Sequence, residues 1–147
     1  MTDVSLKPYA VVNPNEFAYV TVTSRNGEKI SVARNDSNRS YICSSSYIVF
    51  KIDNTDKLLP EYLSLLFDRS EFNRYARFHS WGSARETFDW DAMCEVRIPV
   101  PSIDVQQSIV DIYKAFNSRK EINEKLKAQL KDICPILIKG SIEEAKN

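Results

Sequence analysis

The sequence predicts an α+β fold: a small mixed or antiparallel β-sheet lobe with packing helices, followed by a long C-terminal helix of coiled-coil type. Three observations carry this. Phe17, Tyr19, Thr21 and Thr23 alternate with Ala18, Val20 and Val22, the period of a half-buried strand rich in aromatic and β-branched residues. Between Leu58 and Phe78 the apolar spacing changes to that of a helix. From Val105 to Ile133 apolar residues recur in alternating steps of four and three, a heptad seam.

The strand at Phe17–Thr23 runs towards Asn26-Gly27, a strong hairpin signal because both central residues of a type I′ turn need positive φ, and Lys29 to Ala33 supplies the returning strand. Asn35 to Ser40 is a polar surface loop. Tyr47 to Ile52 is apolar on both faces and is expected to lie more centrally in the sheet than the hairpin. Pro60 suits a first helical turn, Glu61 suits the positive end of the helix dipole, and Leu63, Leu66 and Phe67 form an apolar stripe. Ser70 is expected to cap a second short helix carrying Phe72, Tyr75 and Phe78, with a bend near Asp68 to Ser70. A loop containing Gly82 follows from His79 to Thr87. Glu95 to Val100 has the composition of a short strand, confined to an edge or ended by Pro99 and Pro101.

Asp104 and Gln107 have the spacing of a capping box for the final helix. Its seam comprises Val105, Ile109, Ile112, Phe116, Arg119, Asn123, Leu126, Leu130 and Ile133, apolar at both ends and polar in the middle. Polar seam residues cost stability but restrict the register and orientation of a partner helix. The segment would span about 40 Å at the α-helical rise, and Pro135 is expected to end or kink it. The division expected is a lobe over 1–102 and a helical arm over 103–147.

Composition excludes several classes of function. With 43% hydrophobic and 27% charged residues among 147, the chain fits a soluble domain, and no apolar run or leader-like N-terminus points to a membrane or to secretion, so a cytoplasmic location is expected. Cys43, Cys94 and Cys134 are odd in number and widely spaced, which supports neither a disulfide framework nor a metal site; each reads as a buried or reduced structural thiol. With His79 the lone histidine and Gly27, Gly82 and Gly140 the only glycines, there is no catalytic Ser/His elbow, dinucleotide loop or phosphate cradle. No catalytic residue, cofactor or metal is indicated.

The formal net charge is zero, but the charge is segregated. Arg69, Arg74, Arg77 and Arg85 face one acid, Glu71, a local balance of four minus one or +3, and Glu86, Asp89, Asp91 and Glu95 follow as an acidic block. Such segregation either builds the basic face that a phosphate backbone requires or supplies ion pairs within a solvated surface. Trp81 and Trp90 read as core or junction packing rather than base-stacking residues.

Four motifs occur in order over about ninety residues: Tyr47-Ile48-Val49-Phe50; Leu58-Leu59-Pro60-Glu61-Tyr62-Leu63; Gly82-Ser83-Ala84-Arg85; and Ile98-Pro99-Val100-Pro101 with Gln106-Gln107-Ser108-Ile109. In these the chain resembles the specificity subunit of type I restriction-modification enzymes. The resemblance implies a non-catalytic protein that reads double-stranded DNA through target-recognition domains. It also implies spacer helices packed as an antiparallel coiled coil, and docking of methyltransferase and restriction subunits. Such subunits carry two recognition domains and two spacers; this chain corresponds to the later half to two thirds of one domain with one spacer, so that opening strands would lie before Met1. Where the family has Glu-Gln this chain has Gln106-Gln107, a change expected to retain the helix cap.

On this resemblance Arg74, Arg77 and Arg85, with Ser83, are candidates for phosphate contact, unless they pair with Glu86 or Asp89 instead. Arg25, Asn26, Arg34, Arg39 and Tyr41 have the chemistry for base reading, since Arg can bind guanine and Asn adenine through two hydrogen bonds, although such residues are more often ordinary turn residues. Ile109, Ile112, Phe116, Arg119, Asn123, Leu126, Leu130 and Ile133 are the candidates for helix pairing. The rival reading is an interaction module that dimerises, or pairs with a full specificity subunit, without reading DNA.

Overall fold

The computed structural model describes residues 9–22, 29–82 and 86–144. They contain strands β1 (Tyr9–Val12), β2 (Phe17–Val20), β3 (Ser31–Arg34), β4 (Tyr41–Ser44) and β5 (Tyr47–Phe50), and helices α1 (Pro60–Phe67), α2 (Ser70–Phe78), α3 (Trp90–Cys94) and α4 (Ile103–Glu144). The chain divides into two units, residues 1–107 and residues 108–147, so the first turn of α4 belongs to the lobe. Among the described residues no helix is long and apolar enough to cross a membrane.

Two small antiparallel sheets form the strand part of the lobe. One pairs β1 with β4, and the other has the order β3-β2-β5. The β2–β3 register, Phe17 opposite Arg34 and Val20 opposite Ser31, is that of the expected hairpin, whose Asn26-Gly27 turn lies outside the described residues. The alternation in β2 sorts its side chains as expected: Phe17 and Tyr19 are fully buried, whereas Ala18 and Val20 are half-buried. Contrary to the sequence reading, β5 is an edge strand and β2 the central one. Ile48 and Phe50 pack on the core from one face of β5, and the apolar character of the other face comes from a half-buried Val49 and an exposed Tyr47. Strands β1 and β4, four residues long and largely exposed, were not expected from the sequence.

The core is aromatic. The Phe17 ring stacks on Phe50 at 5.1 Å between centroids and meets Phe67 edge-on at 5.8 Å, while Phe67 lies 4.8 Å from Phe72. Such edge and offset contacts suit the quadrupoles of the rings. Phe88 is fully buried and tied on both sides of its peptide: its N–H donates to Thr21 O at 3.0 Å and its carbonyl accepts the Tyr19 hydroxyl. Burial, and secondarily the Asp89 carboxylate, push the Tyr19 hydroxyl above the usual phenol range, so it remains a donor.

Helices α1 and α2 bend apart at Asp68–Arg69 as expected, and Pro60 occupies the first turn of α1. Ser70 is not a cap. Arg69 takes the N-cap position of α2 without a side-chain bond, and Phe78, expected on the packing face, is exposed; the buried positions are Phe72 and Ala76. The expected strand at Glu95–Val100 is absent. Asp89 instead caps the short helix α3 by accepting from Ala92 N at 2.8 Å, and Val96 and Ile98 then reach the core from unpaired extended chain. Alternating burial is common to a strand and to such a segment; what is missing is a neighbour for the backbone, and Pro99 and Pro101 have no N–H to offer one.

That proline segment is held by its carbonyls. Pro99 O accepts the Tyr62 hydroxyl at 3.1 Å, and Pro101 O accepts Gln106 Nε2 at 2.8 Å. Gln106 is fully buried; Nε2 also donates to Lys57 O at 2.8 Å, and Oε1 accepts from Leu59 N, at the N-cap of α1, at 2.9 Å. Gln106 thereby ties the chain entering α1 to the proline segment ahead of α4. The helix begins at Ile103, so Asp104 lies within the first turn, suited to the dipole, rather than at the cap. Its backbone closes at once, Gln106 N donating to Ser102 O at 3.0 Å.

Helix α4 runs for 42 residues and continues through Pro135, which was expected to end or kink it. Proline removes one helical hydrogen bond, and the exposed surroundings of Pro135 leave water to satisfy the freed carbonyl. All three cysteines are free thiols; Cys94 and Cys134 are exposed and Cys43 is half-buried, so burial does not account for them.

Candidate nucleic-acid interface

Two surfaces of the lobe carry the sequence-derived candidates. The first is the Asn35–Ser40 loop beside β4. Asn35, expected to be an ordinary loop residue, is buried and organises the loop: Nδ2 donates to Val12 O at 3.1 Å and Arg39 O at 2.7 Å, while Oδ1 accepts from Ser37 N at 3.1 Å and Ser37 Oγ at 2.9 Å. Asn35 also exchanges backbone bonds with the Asn13–Glu16 turn, in which Asn15 adopts φ 64°, a conformation asparagine tolerates better than most residues. The loop is therefore fixed from inside; Arg39 on it and Tyr41 at the start of β4 are both exposed.

Arg34 differs. Its Nη1 donates to Asn15 Oδ1 at 2.7 Å and lies 3.4 Å from Glu61 Oε1, and its side chain is only 15% exposed, so it links β3, the Asn15 turn and α1. A largely covered guanidinium in that position serves the packing of the lobe. Arg25, Asn26, Ser83 and Arg85 lie outside the described residues.

The second surface is the outer face of α2 with the chain that follows. Arg74 and Arg77 are exposed on it. The one acid in this stretch, Glu71, lies 3.3 Å from Arg69 Nε; its own backbone amide, then the Arg69 guanidinium, hold its carboxyl below the usual range. Of the two acids expected to compete for the arginines, Glu86 and Asp89, the second is engaged differently: its Oδ2 accepts Trp81 Nε1 at 3.1 Å and its Oδ1 accepts the Ala92 amide. Trp81 and Thr87 exchange backbone bonds of 3.1 and 2.9 Å, closing the base of the loop, and Gly82 itself has φ 118°, where a Cβ would clash. Trp90 packs against Tyr19 and Phe50 as expected, but Trp81 is exposed. Sequence reasoning missed the roles of Asn35, Gln106 and Trp81. An Asp eight residues after a Trp at a loop was the one available sign, and it specifies nothing alone.

In the second unit the seam of α4 is open to solvent: Ile109, Ile112, Phe116, Leu126, Leu130 and Ile133 are exposed large apolar residues, and Arg119 and Asn123 are exposed between them. Leu137 and Ile138 extend the exposed apolar surface beyond Pro135. Among the described residues no group of three or more His, Cys, Asp or Glu is placed to hold a metal ion.

Comparison with known proteins identifies the family. The family model described as type I restriction modification DNA specificity domain matches residues 11–132. The chain belongs to this family. Among curated proteins it is similar to the type I restriction enzyme HindI specificity subunit of Haemophilus influenzae, 24% identical over 131 residues that cover 88% of this chain and 28% of the relative. This DNA specificity domain thus spans a little over a quarter of the length of the curated relative that it matches.

The Asp89 bonds give the specificity domain a defined acid response. The Ala92 amide, then the Trp81 indole, hold the Asp89 carboxyl below its ordinary value. A depressed folded-state value means that its contribution is complete above the unfolded-state value and is lost as pH falls through the folded one. Urea denaturation across pH 2–5 is therefore expected to show a loss of stability at the acid end that is smaller in Asp89→Asn, which keeps a cap acceptor but has no charge to lose. Identical pH profiles for the two proteins would contradict this.

Proposed function

We propose that this chain is the DNA-recognition part of a type I restriction-modification specificity subunit, non-catalytic itself, which places methyltransferase and restriction subunits on double-stranded DNA. Membership of the DNA specificity domain family is the observation that carries the reading. The surface chemistry supports it: exposed Arg74 and Arg77 are suited to phosphate, and Arg39 on an internally braced loop and Tyr41 at the start of β4 are suited to groove contact. Arg25, Asn26, Ser83 and Arg85 remain candidates from the sequence. Arg34, held by Glu61 and Asn15, supports the fold behind that surface.

The α4 seam serves to pair this helix with another, from a second copy or from another specificity subunit. Its spacing is the same read from either end. When the chain is laid antiparallel to itself about Glu121, Val105 meets Leu137, Ile109 meets Ile133, Ile112 meets Leu130, Phe116 meets Leu126, and Arg119 meets Asn123. Each layer then joins one of the two seam positions of the heptad to the other. A shift by one heptad would set Arg119 and Asn123 against apolar residues, so the polar centre opposes slippage.

Binding to a mixed-sequence duplex tests the first part. Affinity is expected to fall steeply with added salt, because phosphate contacts release counterions, and Arg74→Ala and Arg77→Ala are each expected to weaken binding and to reduce the salt slope by about one. An absence of binding at low salt would overturn the DNA-reading function in favour of the interaction module.

Cysteine cross-linking tests the second, in a chain whose native cysteines are replaced by serine. Phe116→Cys combined with Leu126→Cys is expected to form a disulfide-linked dimer, whereas Leu126→Cys alone is not. Efficient self-linkage of the single variant would indicate a parallel pairing.

A further inference from the structure

Phe78 is 84% exposed and Trp81 64% exposed, the two most solvent-open aromatic side chains among the exposed large hydrophobics of the lobe. Each leaves costly apolar surface in water, and isolated exposed residues of this kind need no explanation. These two are not isolated. Residues 74, 77 and 78 follow the i, i+3, i+4 spacing that aligns side chains along one helical face, so Arg74, Arg77 and Phe78 form a stripe on α2, and Trp81 is exposed three residues beyond the end of the helix, where its backbone pairs with Thr87.

The geometry also limits what the aromatic groups can do. The Trp81 backbone is paired with Thr87, and the indole N–H, its sole hydrogen-bonding group, is already given to Asp89. What remains for a partner is the ring face. Behind Phe78 the His79 ring lies 5.1 Å away edge-on, and His79 in turn lies 4.0 Å from Tyr75, with its Nδ1 2.8 Å from Tyr75 O. The aromatic surface is thus braced by hydrogen bonds and ring contacts, and binding would not have to order it. Flat apolar faces set among cationic side chains complement a polyanion that itself presents flat aromatic or sugar faces. Nucleic acid has this chemistry.

We propose that the Arg74–Trp81 segment is a DNA-contacting element in which Phe78 and Trp81 pack against base or sugar faces while Arg74 and Arg77 hold the flanking phosphates. It rests on the DNA-reading function above and adds to it two residues that the charge pattern does not reveal. The phosphate term is electrostatic and indifferent to sequence, whereas the aromatic term depends on how readily a base step opens or a groove admits a ring. The segment therefore gives the lobe a means of sensing DNA deformability.

Fluorescence anisotropy of the full chain with a mixed-sequence duplex, measured over a range of salt concentrations, tests it. Phe78→Ala and Trp81→Ala are each expected to weaken binding roughly tenfold, the scale of one base–aromatic stack, with the salt slope unchanged. Trp81→Phe, which forfeits the bond to Asp89 but keeps an aromatic face, is expected to retain most of the affinity. Circular dichroism of the variants should match that of the unsubstituted chain, since both side chains are solvent-exposed. If the unsubstituted chain binds DNA and both alanine variants bind equally well, the aromatic contact is overturned and the DNA-reading function stands. If those variants instead lose a co-expressed methyltransferase subunit while keeping DNA affinity, the segment belongs to a protein partner and the proposal is likewise overturned. Failure of the unsubstituted chain to bind any duplex at low salt overturns both.

Discussion

The side-chain amide of Gln106 is the constraint on which the lobe's closing segment depends. A fully buried primary amide must find partners for an acceptor and two donor hydrogens, and here all are found on the backbone: Leu59 N, Lys57 O and Pro101 O. Those three groups come from the start of α1 and from the proline segment ahead of α4, neither of which has a β-ladder neighbour. Without the amide, a helix N-terminus and a proline carbonyl would be left unpaired beside apolar surroundings, a cost of about 1–3 kcal/mol for each group. A carboxylate in the same position could accept from Leu59 but could donate to neither carbonyl while ionised, so glutamine has a physical role here that glutamate would not fill.

The same device recurs at smaller scale across the lobe. Asn35 braces its loop through four hydrogen bonds, Asp89 joins the Trp81 loop to the start of α3, and the Tyr19 hydroxyl fixes the Phe88 carbonyl. A core made mainly of rings supplies burial, and these polar ties supply direction to the irregular chain between short elements. The consequence for function is a surface of loops and helix ends held in place before any ligand arrives. Net neutrality does not prevent that surface from exposing cationic side chains, Arg74 and Arg77 among them, and Asp89 is given to neutral donors.

The elements that were legible in the sequence are those with a period long enough to count. The β2 alternation, the two helices with their bend at Asp68, and the α4 heptads all have several repeats, and the structure follows them. Strands of four residues, as in β1 and β4, carry too few repeats to stand out, and α3 has little more than one turn. At Glu95–Val100 the strand-like composition reflected burial without pairing, and at β5 two-sided apolarity reflected partial burial at an edge. Of the interface candidates, composition could not separate Arg34 from Arg39: what distinguishes them is Glu61, 27 residues beyond Arg34, whose approach depends on the tertiary fold. Trp81 was misjudged for the converse reason, since tryptophan is usually buried and only the completed loop leaves its face in water.

The tie made by Gln106 can be tested at the atom that it protects. In amide hydrogen exchange followed by NMR, Leu59 N–H is expected to exchange only through opening of the lobe in the unsubstituted chain. In Gln106→Ala and Gln106→Glu the lobe is expected to be less stable, with Leu59 among the amides whose exchange accelerates most. Fast exchange of Leu59 in the unsubstituted chain, or protection that survives removal of the Gln106 amide, would contradict the claim that this side chain closes the lobe.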